Sequence, residues 1–224
     1  MKFKYLALPL AALVCGNAFA ADPALNTDEK KISYAIGVQV GSSIKKDGID
    51  IDADALSLAI KDVLQGNKLR LSQEEGQQAM NLLNEKMRSK QAAVATENKT
   101  KGEAFLKANA KKAGVKSLPN GMQYKVNKSG SGKSPTKANS VVAHYRGTLI
   151  DGTEFDSSFK RGQPATFPVT GVIQGWQEIL PKMKEGDNWQ VYIPSDLAYG
   201  PRGQGQIIGP NATLIFDIEL IEVK

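Results

Sequence analysis

Proline divides this chain into two regimes. Of its ten prolines, only Pro9 and Pro23 precede Pro119. A stretch of that length without a proline can be helix almost throughout, since proline breaks a helix interior. From about residue 118 onward, glycine, proline and alternating apolar positions take over, which is the pattern of strands and tight turns. The chain therefore reads as α+β, with a helical N-terminal part and a sheet-rich C-terminal part. Its 224 residues allow one or two domains.

The first twenty residues stand apart from both regimes. Lys2 and Lys4 precede a short apolar run, Leu6 to Val14, and Ala18-Phe19-Ala20 offers a cleavage site. This is the pattern of a secretory signal peptide over residues 1–20. The run falls short of the about 20 residues a bilayer span needs. Cys15, the sole cysteine, lies inside it and follows Val14 rather than the small residue expected before a lipid-attached cysteine. The mature chain then holds no disulfide, which suits export to the periplasm, outer membrane or cell surface of a Gram-negative bacterium. The formal net charge of +6 falls by two when Lys2 and Lys4 go with the leader. No basic stripe interleaved with aromatics accompanies it, so nucleic acid is not an expected partner.

Three helices are expected in the first regime. Thr27, followed by Asp28 and Glu29, has the character of an N-cap. Ile32, Ala35, Ile36, Val40 and Ile44 then recur at helical spacing until Asp47-Gly48. A second helix starts near Asp52 or Asp54, with Leu56, Ala59, Ile60, Val63 and Leu64 on its apolar face, and stops at Gly66-Asn67. Ser72 and Glu75 form a capping box for a third, with no strong stop before Gly114. Residues 22–70 bury too little for a stable core, which predicts a helical dimerisation region completed by a second copy. Residues 71–114 are expected to form a long connecting helix. From Arg88 to Lys101 that helix is almost wholly polar, the pattern of a solvent-exposed spacer between two bodies.

In residues 115–224 strands are expected at Met122–Val126, Val141–Leu149, around Trp189–Ile193 and around Leu214–Leu220. A short helix, Gly175 to Leu180, is closed by Pro181. His144, the only histidine, alternates with Tyr145 along its strand and faces away from whatever Tyr145 lines. One histidine and no mature cysteine leave no ligand set for zinc and no histidine-based triad. What this region does hold is an unusual share of the aromatics in a chain that is 7% aromatic, including both tryptophans.

Those aromatics fall in a recognisable order. Tyr145, Asp151-Gly152-Thr153-Glu154-Phe155-Asp156-Ser157-Ser158, Val172-Ile173-Gln174-Gly175-Trp176, Asp196-Leu197-Ala198-Tyr199-Gly200, Ile207-Ile208 and Ala212-Thr213-Leu214-Ile215-Phe216 follow one another. This series closely resembles the FKBP family of peptidyl-prolyl cis–trans isomerases. With a helical region and a long helix ahead of it, the chain is similar to the Mip (macrophage infectivity potentiator) group of that family. The resemblance implies an antiparallel sheet wrapped around one short helix, with the site in the groove between them. It makes Trp176 the floor and Tyr145, Phe155, Phe167, Val172 and Phe216 the walls. The Ile173 N–H and the Tyr199 hydroxyl would meet the bound chain, and Asp156 would face the twisting prolyl carbonyl. Arg161 would pair beside Tyr145 and Asp156, and Ile207 and Ile208 would close over the groove. It further implies proline-containing polypeptide clients, macrolide inhibitors, a homodimer through the N-terminal helices and no cofactor. The alternative is a chaperone or surface-binding protein that uses the same fold mainly to grip partners. Ala165, Gln204 and Gly209 depart from residues frequent in the family, which bears on substrate preference.

Overall fold

The computed structural model describes residues 25–224; the signal-peptide expectation lies outside them. The chain divides into two compact units, one ending at Arg70 and one beginning at Leu71.

The first unit holds α1 (Asp28–Lys46) and α2 (Ala53–Leu64). α1 starts at the expected cap, and α2 at Asp52, the first of its two candidates. Thr27 Oγ1 accepts from the Lys30 N–H at 3.3 Å, and Asp52 Oδ1 from the Ala55 N–H at 2.8 Å. Each bond satisfies one of the free donors at a helix start. Gly66, at φ +66°, ends the turn after α2. Asp62 is buried on α2, where it accepts from Arg70 Nε at 2.7 Å and Asn67 Nδ2 at 3.2 Å. The apolar faces, by contrast, are open. No residue of α1 is buried, and Ile32, Ile36, Val40, Ile60, Val63 and Leu64 are all exposed.

The second unit opens with α3 (Gln73–Asn109), 37 residues and about 55 Å long. Its capping box is complete, with Glu75 N–H to Ser72 Oγ at 3.2 Å and Ser72 N–H to Glu75 Oε2 at 2.8 Å. Seven antiparallel strands follow: β1 (Val115–Ser117), β2 (Gln123–Lys128), β3 (Ser140–Leu149), β4 (Glu154–Ser157), β5 (Ala165–Pro168), β6 (Asn188–Ile193) and β7 (Leu214–Val223). The sheet order is β1-β2-β6-β7-β3-β4, with β5 also pairing on β3. Helix α4 (Gln174–Ile179) lies between β5 and β6 in the chain. Val141 and Ala143 of β3, Val191 and Ile193 of β6, and Leu214, Phe216, Ile218 and Leu220 of β7 bury their side chains in one cluster with Trp176, Ile179 and Leu180. Alternation on the three strands directs every second side chain to that cluster. Gly175 lets α4 come in close, because a Cβ there would lie 2.6 Å from Ile193 Cγ2.

Two features differ from the sequence reading. The short strands β1, β4 and β5 carry no long alternation, and the strand placed at Met122–Val126 runs instead over Gln123–Lys128. More consequentially, the polar stretch of α3 is not a free spacer along its length. From Val94 onward it packs on the sheet domain. Asn98 Nδ2 donates to the Pro210 carbonyl at 2.9 Å and Asn211 Nδ2 to the Ala95 carbonyl at 3.3 Å. A Cβ on Gly102 would overlap the Thr213 hydroxyl. At the helix end Asn109 is fully buried and donates to Gln123 Oε1 at 3.0 Å, while Gln123 Nε2 donates to the Leu106 carbonyl at 2.8 Å. Hydrogen bonds, one missing side chain and a ring contact, Phe105 against Tyr192 at 5.9 Å, make this contact, so no periodic apolar pattern reveals it.

Candidate active site

The first turn of α4 carries Trp176 into the sheet's concave side, where it is 3% exposed. Three rings meet it nearly edge to face. Centroid separations are 5.5 Å to Tyr145, 5.4 Å to Phe167 and 5.3 Å to Phe216, with interplanar angles of 88°, 75° and 84°. Phe155 stands against Phe216 in the same manner at 5.5 Å. Edge-to-face contact suits the ring quadrupoles and leaves the space over the indole unfilled. Register explains the arrangement. Tyr145 on β3 lies opposite Ile218 on β7, and two residues along Gly147 lies opposite Phe216. Gly147 has no side chain to compete, and a Cβ there would overlap the Phe155 ring and lie 2.9 Å from Phe216 Cε1.

The result is an apolar groove of about 690 Å³ over Trp176. All nine residues expected to form its floor, walls and polar contacts line it: Tyr145, Phe155, Asp156, Phe167, Val172, Ile173, Trp176, Tyr199 and Phe216. Ile207 and Ile208 line it as well. Ile208 is buried, whereas Ile207 is 47% exposed at the rim. Arg161 does not line the groove; it reaches it through its partners. Gly171, Gly205 and Gln206 line it too. None of these three has a chemical signature that a sequence pattern could single out.

The polar groups are few. Tyr145 donates its hydroxyl proton to Asp156 Oδ2 at 2.5 Å, Arg161 Nη2 donates to the Tyr145 oxygen at 2.8 Å, and Arg161 Nη1 pairs with Asp156 Oδ1. The guanidinium also lies 5.5 Å from the Tyr145 ring centroid. Burial pushes the Asp156 carboxyl up, but the bonds from Tyr145 and Arg161 and the arginine charge outweigh it and hold it below its ordinary value. Burial, then the bond to Asp156, raises the Tyr145 hydroxyl. Burial, then the charge of Asp156, raises that of Tyr199. Besides the buried Trp176 Nε1, which has no partner among the described residues, two donors at the groove are open. The Ile173 N–H, just ahead of α4, donates to no protein acceptor, and the Tyr199 hydroxyl has no hydrogen-bond partner.

His144 faces away from the groove, stacked on Phe159 at 4.6 Å, with Nδ1 3.0 Å from Ser158 Oγ. Ser158 is fully buried and grips the Tyr145 backbone, accepting from its N–H at 2.7 Å while the Ser158 N–H donates to its carbonyl at 2.9 Å. This support for Tyr145 was not foreseen, although Ser158 belongs to the run that carries the resemblance.

Comparison with known proteins agrees with this geometry. Residues 131–221 match the family described as FKBP-type peptidyl-prolyl cis-trans isomerase, and residues 29–126 match the domain amino terminal to it. The chain is 46% identical to "Outer membrane protein MIP" of Legionella longbeachae, covering 100% of this chain and 99% of that protein. The chain belongs to the FKBP-type peptidyl-prolyl isomerase family. It is likewise 44% identical to "Peptidyl-prolyl cis-trans isomerase Mip" of Coxiella burnetii, over 97% of this chain and 96% of that one. Among solved structures it resembles FkpA from Escherichia coli, with a TM-score of 0.67 at 37% identity, over 90% of this chain and 99% of the other. The FKBP-type reading accounts for a groove rich in rings and poor in titratable groups.

Proposed function

We propose that this chain catalyses cis–trans isomerisation of X–Pro bonds by binding the twisted amide in the groove over Trp176. Rotation is opposed by a barrier of about 18–20 kcal/mol from amide resonance. No bond has to break to cross it. A catalyst needs only to bind the twisted amide more tightly than the planar one. The twisted carbonyl is less polar, so an apolar groove favours it over the planar form, which loses its water on entry. The proline ring sits over the indole, held by the Tyr145, Phe167 and Phe216 edges. The Ile173 N–H takes a substrate carbonyl, and the Tyr199 hydroxyl donates to the chain on the other side. Asp156, fixed by Tyr145 and Arg161, faces the carbonyl that turns.

The observation that carries this reading is the pair of open donors, Ile173 N–H and Tyr199 hydroxyl, on an otherwise apolar aromatic groove. The family match and the name of the Coxiella relative favour an isomerase over a pure binding protein. The exposed faces of α1 and α2 support a homodimer through the N-terminal helices. Two linked grooves then raise the effective concentration of a client chain. The leader pattern and the name of the Legionella relative support export, with proline-containing exported proteins as clients and macrolides as inhibitors.

The test is a peptide isomerisation assay on the full-length protein. Tyr199→Phe removes one hydrogen bond and lowers kcat/KM by about three- to tenfold. Asp156→Leu lowers it further, because it also strands Arg161 beside Tyr145. Wild-type rates in both variants would refute the site.

A further inference from the structure

One wall of the groove hangs on the long helix. The loop from Tyr199 to Thr213 carries the Tyr199 hydroxyl at one end and Ile207 and Ile208 near its middle. It is pinned within itself by several backbone bonds, two sets of which span its middle and its base. Gln204 and Ile208 exchange backbone bonds, N–H to carbonyl at 2.8 Å and 3.3 Å, and the Asn211 N–H donates to the Gly200 carbonyl at 2.8 Å. Beyond Ile208 the next residues run under α3. Gly209 passes so close that a Cβ there would lie 3.0 Å from Asn98 Nδ2 and 3.6 Å from Val94 Cγ1. Asn98 holds the Pro210 carbonyl, and Asn211 reaches back to the Ala95 carbonyl. Asn211 is the one non-glycine residue with positive φ among those described, at +57°. Such a conformation is unfavourable and persists where surrounding contacts enforce it.

We infer that residues 94–102 of α3 brace this loop and thereby set which side chain next to proline the enzyme accepts, with Asn98 and Asn211 as positioning residues. The inference rests on the groove being the proline site. A proline ring over Trp176 sends its flanking residues across the rim, where Ile207 offers an exposed apolar side chain. Ile207 lies inside the turn that the Gln204–Ile208 bonds close, and that turn is two residues from the carbonyl that Asn98 holds. A shift of the brace is therefore felt at the rim first and at the indole floor least.

The experiment uses full-length protein and short peptides that differ only in the residue preceding proline: alanine, leucine, phenylalanine or glutamate. Asn98→Ala is expected to change the leucine-to-alanine and phenylalanine-to-alanine ratios of kcat/KM by about threefold or more, within the range that loss of one hydrogen bond allows. Gly209→Val, which pushes on the helix from the loop side, should shift the same ratios. A role confined to fold stability would scale all four peptides together and leave the ratios fixed. Amide exchange supplies a reading independent of activity. The Ile208 and Asn211 amides should exchange at least about threefold faster in Asn98→Ala, while those of β6 stay unchanged. Unchanged ratios, or unchanged exchange at Ile208, would overturn the brace while leaving the isomerase reading intact. A wild type that accelerates none of the peptides would overturn the proline reading and the specificity role with it.

Discussion

Helix α3 contains two glycines that make opposite predictions. In an exposed helix interior, replacing glycine by alanine stabilises by about 0.8–1 kcal/mol. Gly76, in the first turn of α3, has nothing within 4 Å of a built Cβ, so Gly76→Ala should stabilise by up to that amount. Gly102 should not. Its Cβ would overlap Thr213 Oγ1 and come within 3.2 Å of Thr213 Cβ. Thr213 is itself buried and cannot swing clear. Overpacking of this kind costs about 1–3 kcal/mol. Set against the propensity gain, the net is a loss of up to about 2 kcal/mol. Urea unfolding followed by tryptophan fluorescence is the assay, because Trp176 and Trp189 both lie in the sheet unit. With a slope near the middle of the about 1–3 kcal/mol per molar usual for small proteins, Gly102→Ala lowers the midpoint by up to about 1 M. Adding Thr213→Ala removes the oxygen and should restore at least about half of the loss. If Gly102→Ala instead stabilises as Gly76→Ala does, α3 is not docked on the sheet in solution and the brace fails with it.

Other consequences are simpler to check. Gly147→Ala drives a methyl into the Phe155 and Phe216 rings, so kcat/KM on a short peptide should fall at least about tenfold and Trp176 fluorescence should change; an active variant with unchanged fluorescence would mean the rings are not packed as described. Asp156 has its folded pKa depressed below the unfolded value of about 3.9, so the stabilisation it contributes is complete above that value and is lost only as pH falls through the folded one. Tyr145 and Tyr199 are raised, which keeps both hydroxyls protonated, and kcat/KM should stay level from about pH 5 to about pH 9; a break inside that range would refute this assignment. Ile36→Glu together with Val40→Glu on α1 should halve the molar mass measured by light scattering and leave the rate on a short peptide unchanged. An unaltered mass would remove α1 from the dimer contact.

Local chemistry made much of the fold readable in advance. Thr27, Asp52 and the Ser72–Glu75 box start their helices because those side chains satisfy free N–H groups within their own turn. Alternation placed the inward faces of β3, β6 and β7 because each is long enough to repeat. β1, β4 and β5 span three or four residues, too few for a period, and owe their existence to their pairing partners, β2 and β3 across short hairpins for the first two and the more distant start of β3 for the third. The docking of α3 was hidden for a different reason. Asn98 and Gly102 look like solvated or helix-weakening residues until the loop at 209–213 is brought beside them. At the site, the ordered aromatics indicated a groove through family resemblance. The Ile173 N–H came by the same resemblance, whereas the Gly147 gap is a backbone property that no side-chain pattern reports.

The central claim is rotation without covalent chemistry in the groove over Trp176. Exchange spectroscopy on one short X–Pro peptide with catalytic full-length protein, run in isotopically labelled water, tests it most directly. The account predicts cis–trans exchange that rises in proportion to enzyme, with no label entering the peptide and no new species. Exchange at the uncatalysed rate, or label incorporated into the peptide carbonyl, would contradict it.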